Sequence, residues 1–174
     1  SEWSESETDY YNNTNFLGKF GNTTVTLNLS NLPPHDSVRV EFDLYILDSW
    51  DGNYTPEGPD KWYLVFNSDT LIHTTFKNNA QTQAGQSYPD NFPANNPRYT
   101  GSYSNQMPPS PGACGGTDIS SLYKITRDIS NNQNIINLDF SADGLQGICD
   151  ESWAIDSVKV FLHQSVPVPS GILW

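Results

Sequence analysis

Three carboxylates, Asp48, Asp60 and Asp156, stand in phase with apolar residues at the ends of strand-like segments. Asp48 continues the parity of Val38, Val40, Phe42, Leu44 and Ile46, and Asp60 anticipates that of Trp62, Leu64 and Phe66. Asp156 shares the parity of Ala154, Val158, Val160 and Leu162. Alternation sends every second side chain to one face of a sheet, so all three acids are expected to point inward. A carboxylate placed there costs several kcal/mol unless it is paired or bound to a cation.

Asp48 and Asp60 bracket one loop, which also carries Asp51 and Asn53, while Asp150 and Glu151 lead into Asp156. If the strands flanking that loop are neighbours, the two acids face each other across its mouth. The cluster offers oxygen donors and neither His nor Cys, a hard set that suits calcium, which takes 6–8 oxygens. The expectation is a structural calcium held by Asp48, Asp60 and Asp156, with Asp51, Asn53, Asp150 and Glu151 as alternates. Singly, Asp48 and Asp60 are as readily turn caps, and Asp156 a partner of Arg39 or Arg127. Three in-phase acids in a chain with 8 bases against 20 acids shift the balance to a cation.

Other reactive side chains are sparse. His35, His73 and His163 are scattered, and there is no G-x-S-x-G and no Cys–His pattern, so no enzyme is expected. The two cysteines, Cys114 and Cys149, are expected to form a disulfide, which in the chain-entropy model contributes about 3–4 kcal/mol. One disulfide, few lysines and a first residue other than Met fit an exported, processed protein. Sequons stand at Asn12, Asn22, Asn28 and Asn53. Trp50, Tyr54, Tyr88, Phe92, Tyr99 and Tyr103 fall in expected loops, where they either stack on glycan rings or pack the loops down.

The net charge of −12 disfavours nucleic acid and anionic lipid, leaving divalent cations and neutral ligands such as glycans. No apolar run reaches the roughly 18 residues of a membrane span.

The elements that must position these groups are strands. The chain alternates from Thr24 through Val25, Leu27 and Leu29 until Leu32-Pro-Pro-His-Asp36 breaks it, again over 38–47 and at Trp62, Leu64 and Phe66. Residues 70–77, 121–128, 134–141 and 153–163 read as further strands, and Asn67-Ser-Asp69 as a hairpin turn. Residues 78–118 form a long irregular stretch dense in Asn, Gln, Pro, Gly, Ser and Tyr. Residues 1–19 show no period and read as an extension, and 164–174 as a tail. The expectation is one all-β domain over 1–174, an antiparallel β-sandwich of jelly-roll type.

The stretches Phe42 to Asn53, Gly58 to Trp62 and Gly144 to Val158 resemble secreted bacterial jelly-roll domains. The last contains Asp150-Glu-Ser-Trp-Ala-Ile-Asp156 and is similar to the closing strand of MAM-type and concanavalin-like sandwiches. That resemblance, over roughly 17–163, implies a structural calcium near Asp150, Glu151 and Asp156. The tail Val166-Pro-Val-Pro-Ser-Gly-Ile-Leu-Trp174 resembles the opening of an exosortase-type (PEP-CTERM-like) sorting signal. This implies export to the surface or matrix of a Gram-negative bacterium.

Together these features lead to a non-enzymatic, calcium-stabilised extracellular protein, self-assembling into filaments through its terminal segments. The alternative is a calcium-dependent carbohydrate-binding module.

Overall fold

A computed structural model describes residues 2–114 and 119–164. All regular structure among them is β. The ten strands are β1 (Thr8–Tyr11), β2 (Thr14–Phe20), β3 (Thr24–Ser30), β4 (Ser37–Asp48), β5 (Lys61–Phe66), β6 (Asp69–Thr75), β7 (Ser104–Met107), β8 (Ser120–Ser130), β9 (Ile135–Asp143) and β10 (Glu151–His163). They form two antiparallel sheets, in the orders β1-β2-β10-β4-β8-β7 and β3-β9-β5-β6. The chain is an antiparallel β-sandwich, as its alternating segments predict.

The alternation of β4 explains its central place. Val38, Val40, Phe42, Leu44 and Ile46 are buried between the sheets, while Arg39 and Asp43 reach across the outer face to Asp128 and Lys124 on β8. Those exposed pairs add little stability. The apolar filling supplies most of it, at about 1.5–3 kcal/mol per large side chain. Aromatic rings dominate this core: Trp62 meets Trp153 at 6.2 Å and Phe42 meets Phe140 at 5.3 Å between centroids. Asn67 and Ser68 both take positive φ in the β5–β6 hairpin, matching the twist that a tight turn between two strands requires.

A second apolar cluster lies apart from this core. Tyr11, Phe16, Tyr45, Leu47, Met107 and Ala154 gather there, and the 108–111 segment is tied to it by the Tyr11 hydroxyl, which donates to the Pro108 carbonyl. Tyr45 and Leu47 therefore have an apolar environment on the parity opposite to Leu44 and Ile46.

Two expectations are corrected. Residues 1–19, read as an extension, supply β1 and most of β2, and Trp3 bridges Leu27 and packs on Phe140. Their pattern is illegible because β2 changes clusters, Phe16 joining the second and Phe20 the first. The loop flanked by Asp48 and Asp60 does not join adjacent strands, since β4 and β5 belong to opposite sheets. The 78–118 stretch is irregular apart from the short β7 among its described residues, and parts of it are buried. Its buried Gln86 accepts hydrogen bonds from Lys77 N (3.2 Å), Tyr99 N (3.0 Å) and the Tyr123 hydroxyl (3.2 Å).

Cys114 and Cys149 are joined by a disulfide with Cα atoms 5.1 Å apart. It ties the end of the long loop to the turn before β10.

Candidate metal centre

Three carboxylates meet at one end of the sandwich: Asp51, Asp60 and Glu151, with one oxygen from each lying within 4.8 Å of the others. Asp51 belongs to the turn after β4. That turn is anchored by Trp50, wholly buried, whose indole N–H donates to Ser152 O at 2.9 Å. Ser49 N also donates to Asp150 O at 2.9 Å, so the start of β10 is held against the turn. Asp60 immediately precedes β5, where its own N–H donates to Gly52 O at 3.0 Å and its carboxylate accepts the Asp51 N–H. Glu151 opens β10 and accepts the Gln146 N–H at 2.8 Å.

The close approach of these segments depends on glycine. Gly144, at φ +92°, packs so that a Cβ would lie 2.3 Å from Pro59 O. At Gly58 a Cβ would lie 2.9 Å from Asp60 Oδ1.

Asp60 and Glu151 are fully buried and Asp51 is nearly so. Asp60 Oδ1 and Glu151 Oε1 have no hydrogen-bond partner among the described residues. Without a cation, a bond between the two carboxyls requires a proton held by one of them. Burial, above all, pushes Asp60 up to about 7 and Glu151 up to about 9; the Asp51 charge adds to both shifts and the Asp60 charge adds to that of Glu151, while main-chain N–H donors work against the rise in each. Asp51 is also raised by burial, against the hydrogen bond from Asn79 Nδ2 at 2.6 Å and the nearby Lys77.

The donor set fits a hard divalent cation. Calcium sits about 2.3–2.6 Å from each oxygen, which allows ligand oxygens up to roughly 5 Å apart across the ion, and the observed spread lies inside that limit. The three carboxylates offer six oxygens, some of which already accept main-chain or amide donors. A cleft of about 330 Å³, lined in part by Asp51, Glu57, Asn79, Gln146 and Asp150, opens beside Asp51 and gives a negatively charged approach.

Of the seven residues singled out in the sequence, Asp51, Asp60 and Glu151 come together and four do not. Asp48 is buried, but its φ of +67° takes it out of the strand alternation, and its carboxylate accepts Ser110 N at 2.7 Å and the Ser110 hydroxyl. Asp156 does not share the core parity of Val158. The β10–β4 register shifts between Asp156 and Lys159, so Trp153 and Ile155 face the main core before the bulge and Val158, Val160 and Leu162 face it after. Asp156 is left half-buried, accepting the Thr14 hydroxyl at 3.3 Å and Ser157 N at 2.6 Å. Asn53 donates to Ala94 O at 2.7 Å and accepts the Thr75 hydroxyl at 2.6 Å, so it braces the long loop. Asp150 accepts the Ser49 hydroxyl at 2.7 Å at the cleft.

Asn79, Gln146 and Lys77 were missed, and no local signal marks them; they matter through contacts across the chain. Among the expected glycan contacts, Trp50 and Tyr88 are core residues, and Tyr88 packs 5.0 Å from Phe76 and 5.1 Å from Tyr123. Tyr54 and Tyr99 are half-buried, whereas Tyr103 is 69% exposed. Asn12 and Asn28 are exposed sequons, but the side chains of Asn22 and Asn53 are spent on Leu145 and on Ala94 and Thr75.

No protein-family model matches the chain, and no curated protein matches it.

Proposed function

We propose that the protein is a non-enzymatic structural β-sandwich of the cell exterior, braced by calcium at Asp51, Asp60 and Glu151 and serving as a subunit of a surface or matrix filament. The observation that carries the brace is the pair of buried oxygens, Asp60 Oδ1 and Glu151 Oε1, with no donor to satisfy them. Full burial of these two acids favours a brace over an acid–base pair, because a substrate bond has no access to them. The disulfide favours an oxidising compartment. No described helix is long and apolar enough to cross a membrane.

Support for assembly comes from β10. From Lys159 to His163 it is paired with β4 alone among the described residues, leaving a strand edge that accepts another strand. The N-terminal segment is engaged within its own sheets, so the donor in this reading is Val166–Trp174 of a second copy, a segment outside the described residues. Light scattering of the intact protein in calcium tests this: oligomers or fibres are expected, and a monomer once 166–174 is deleted. A monomeric intact protein at high concentration refutes assembly.

A second reading, a carbohydrate-binding module, is favoured by one observation, an open polar groove of about 480 Å³ along the long loop.

A further inference from the structure

That groove differs from the rest of the molecule in charge. The chain has 20 acidic and 8 basic residues, yet the groove lining includes Lys77 and Arg98 and no acid. Its volume lies within the roughly 300–1,000 Å³ of small-ligand sites. Much of the remaining lining is amide or hydroxyl: Asn79, Thr82, Gln83 and Asn95 among them. An amide both donates and accepts hydrogen bonds, as a sugar hydroxyl does.

The floor is built in advance. Gln86 and Asn96 exchange main-chain hydrogen bonds of 2.9 and 2.6 Å, Gly85 N donates to Asn95 Oδ1 at 3.0 Å, and Asn53 N donates to Gly85 O at 2.9 Å. A side chain at position 85 has no room, since a Cβ would lie 2.3 Å from Asn96 O. Arg98 is exposed and nonetheless held: Nη1 donates to Asn78 O at 3.0 Å, and the guanidinium carbon lies 4.6 Å from the Tyr99 ring centroid. A fork fixed in this way retains N–H donors suited to a carboxylate. The buried Lys77 ammonium donates to the Thr82 hydroxyl.

We propose that this groove binds an acidic saccharide, with Arg98 meeting a sugar carboxylate and the side-chain amides meeting ring hydroxyls. The proposal rests on the carbohydrate reading; the groove shares Lys77 and Asn79 with the surroundings of Asp51, but Arg98, Gln83 and Asn95 lie outside the three-carboxylate cluster. Calorimetric titration of the intact protein in EDTA, with a galacturonic acid tetramer and a glucose tetramer as probes, tests it. The acidic tetramer is expected to bind about tenfold more tightly than the neutral one, and Arg98→Gln to remove that preference. Gln83→Ala, at an exposed position, is expected to weaken the acidic tetramer about threefold with an unchanged melting temperature, and serves if Arg98→Gln fails to fold. Tyr103→Ala, an exposed aromatic outside the groove, leaves binding unchanged. Absence of binding, equal affinity for the two tetramers, or a preference that survives Arg98→Gln overturns the proposal. If calcium gives no stabilisation, the cation centre fails and this binding is expected to remain.

Discussion

Asp48 and Glu151 are direct partners in the β4–β10 ladder, yet their carboxyls serve different structures. Glu151 joins Asp51 and Asp60, whereas Asp48 caps the segment at Ser110. Asp48→Ala leaves buried donors of Ser110 without an acceptor and is expected to cost about 2–4 kcal/mol, read from the urea midpoint. The calcium response of this variant should match that of the native chain. Loss of that response would place Asp48 in the centre after all.

Calcium at one hundred times its dissociation constant adds about 2.7 kcal/mol, which for a domain of this size raises Tm by roughly 5–10 °C. Asp60→Asn and Glu151→Gln should abolish the rise, and Asp156→Asn should keep it, since Asp156 lies outside the cluster. Thermal melts with EDTA and with added calcium decide this. A rise that persists in Asp60→Asn and Glu151→Gln refutes the site.

The raised Asp60 and Glu151 carboxyls set the pH dependence. Their ordinary values are 3.8 and 4.5, and burial lifts them to about 7 and about 9. Between those limits the folded, cation-free chain binds more protons than the unfolded one, so its stability falls as pH rises from about 4 toward 9. Bound calcium replaces those protons, so its affinity should increase over the same window and its binding should release protons. Urea unfolding at pH 5 and pH 8.5, with EDTA and with calcium, should show a smaller loss at high pH when calcium is present. Parallel pH curves in both conditions would contradict this.

Deleting residues 1–20 should remove β1 and β2, the latter paired with β10, and expose Trp153, rather than release a folded monomer. Trp153 packs 5.0 Å from Phe20, and its indole N–H donates to Gly21 O at 2.9 Å. The expected readout is loss of the cooperative melt and a red-shifted tryptophan emission. A native-like melt in the truncated chain would show that β1 and β2 are dispensable.

The sequence by itself determined the sheet class, the hairpin at Asn67–Ser68, the inward face of β4 and the cysteine pair. Each depends on a local period or on a single pairing choice. It also marked the acids among which the centre is found, because charge in an apolar setting is visible residue by residue. Which acids meet was decided by the tertiary structure. The β10 bulge reverses facing between Ile155 and Val158 and leaves Asp156 outside the centre, and positive φ at Asp48 diverts that carboxylate to Ser110. With β4 and β5 in opposite sheets, Asp60 meets Asp51 and Glu151 only because the loop between the sheets folds over the start of β10. A period of two is carried by neighbours along the chain. A bulge, a change of sheet or a loop closure is fixed by partners far away in sequence, so no local pattern records it.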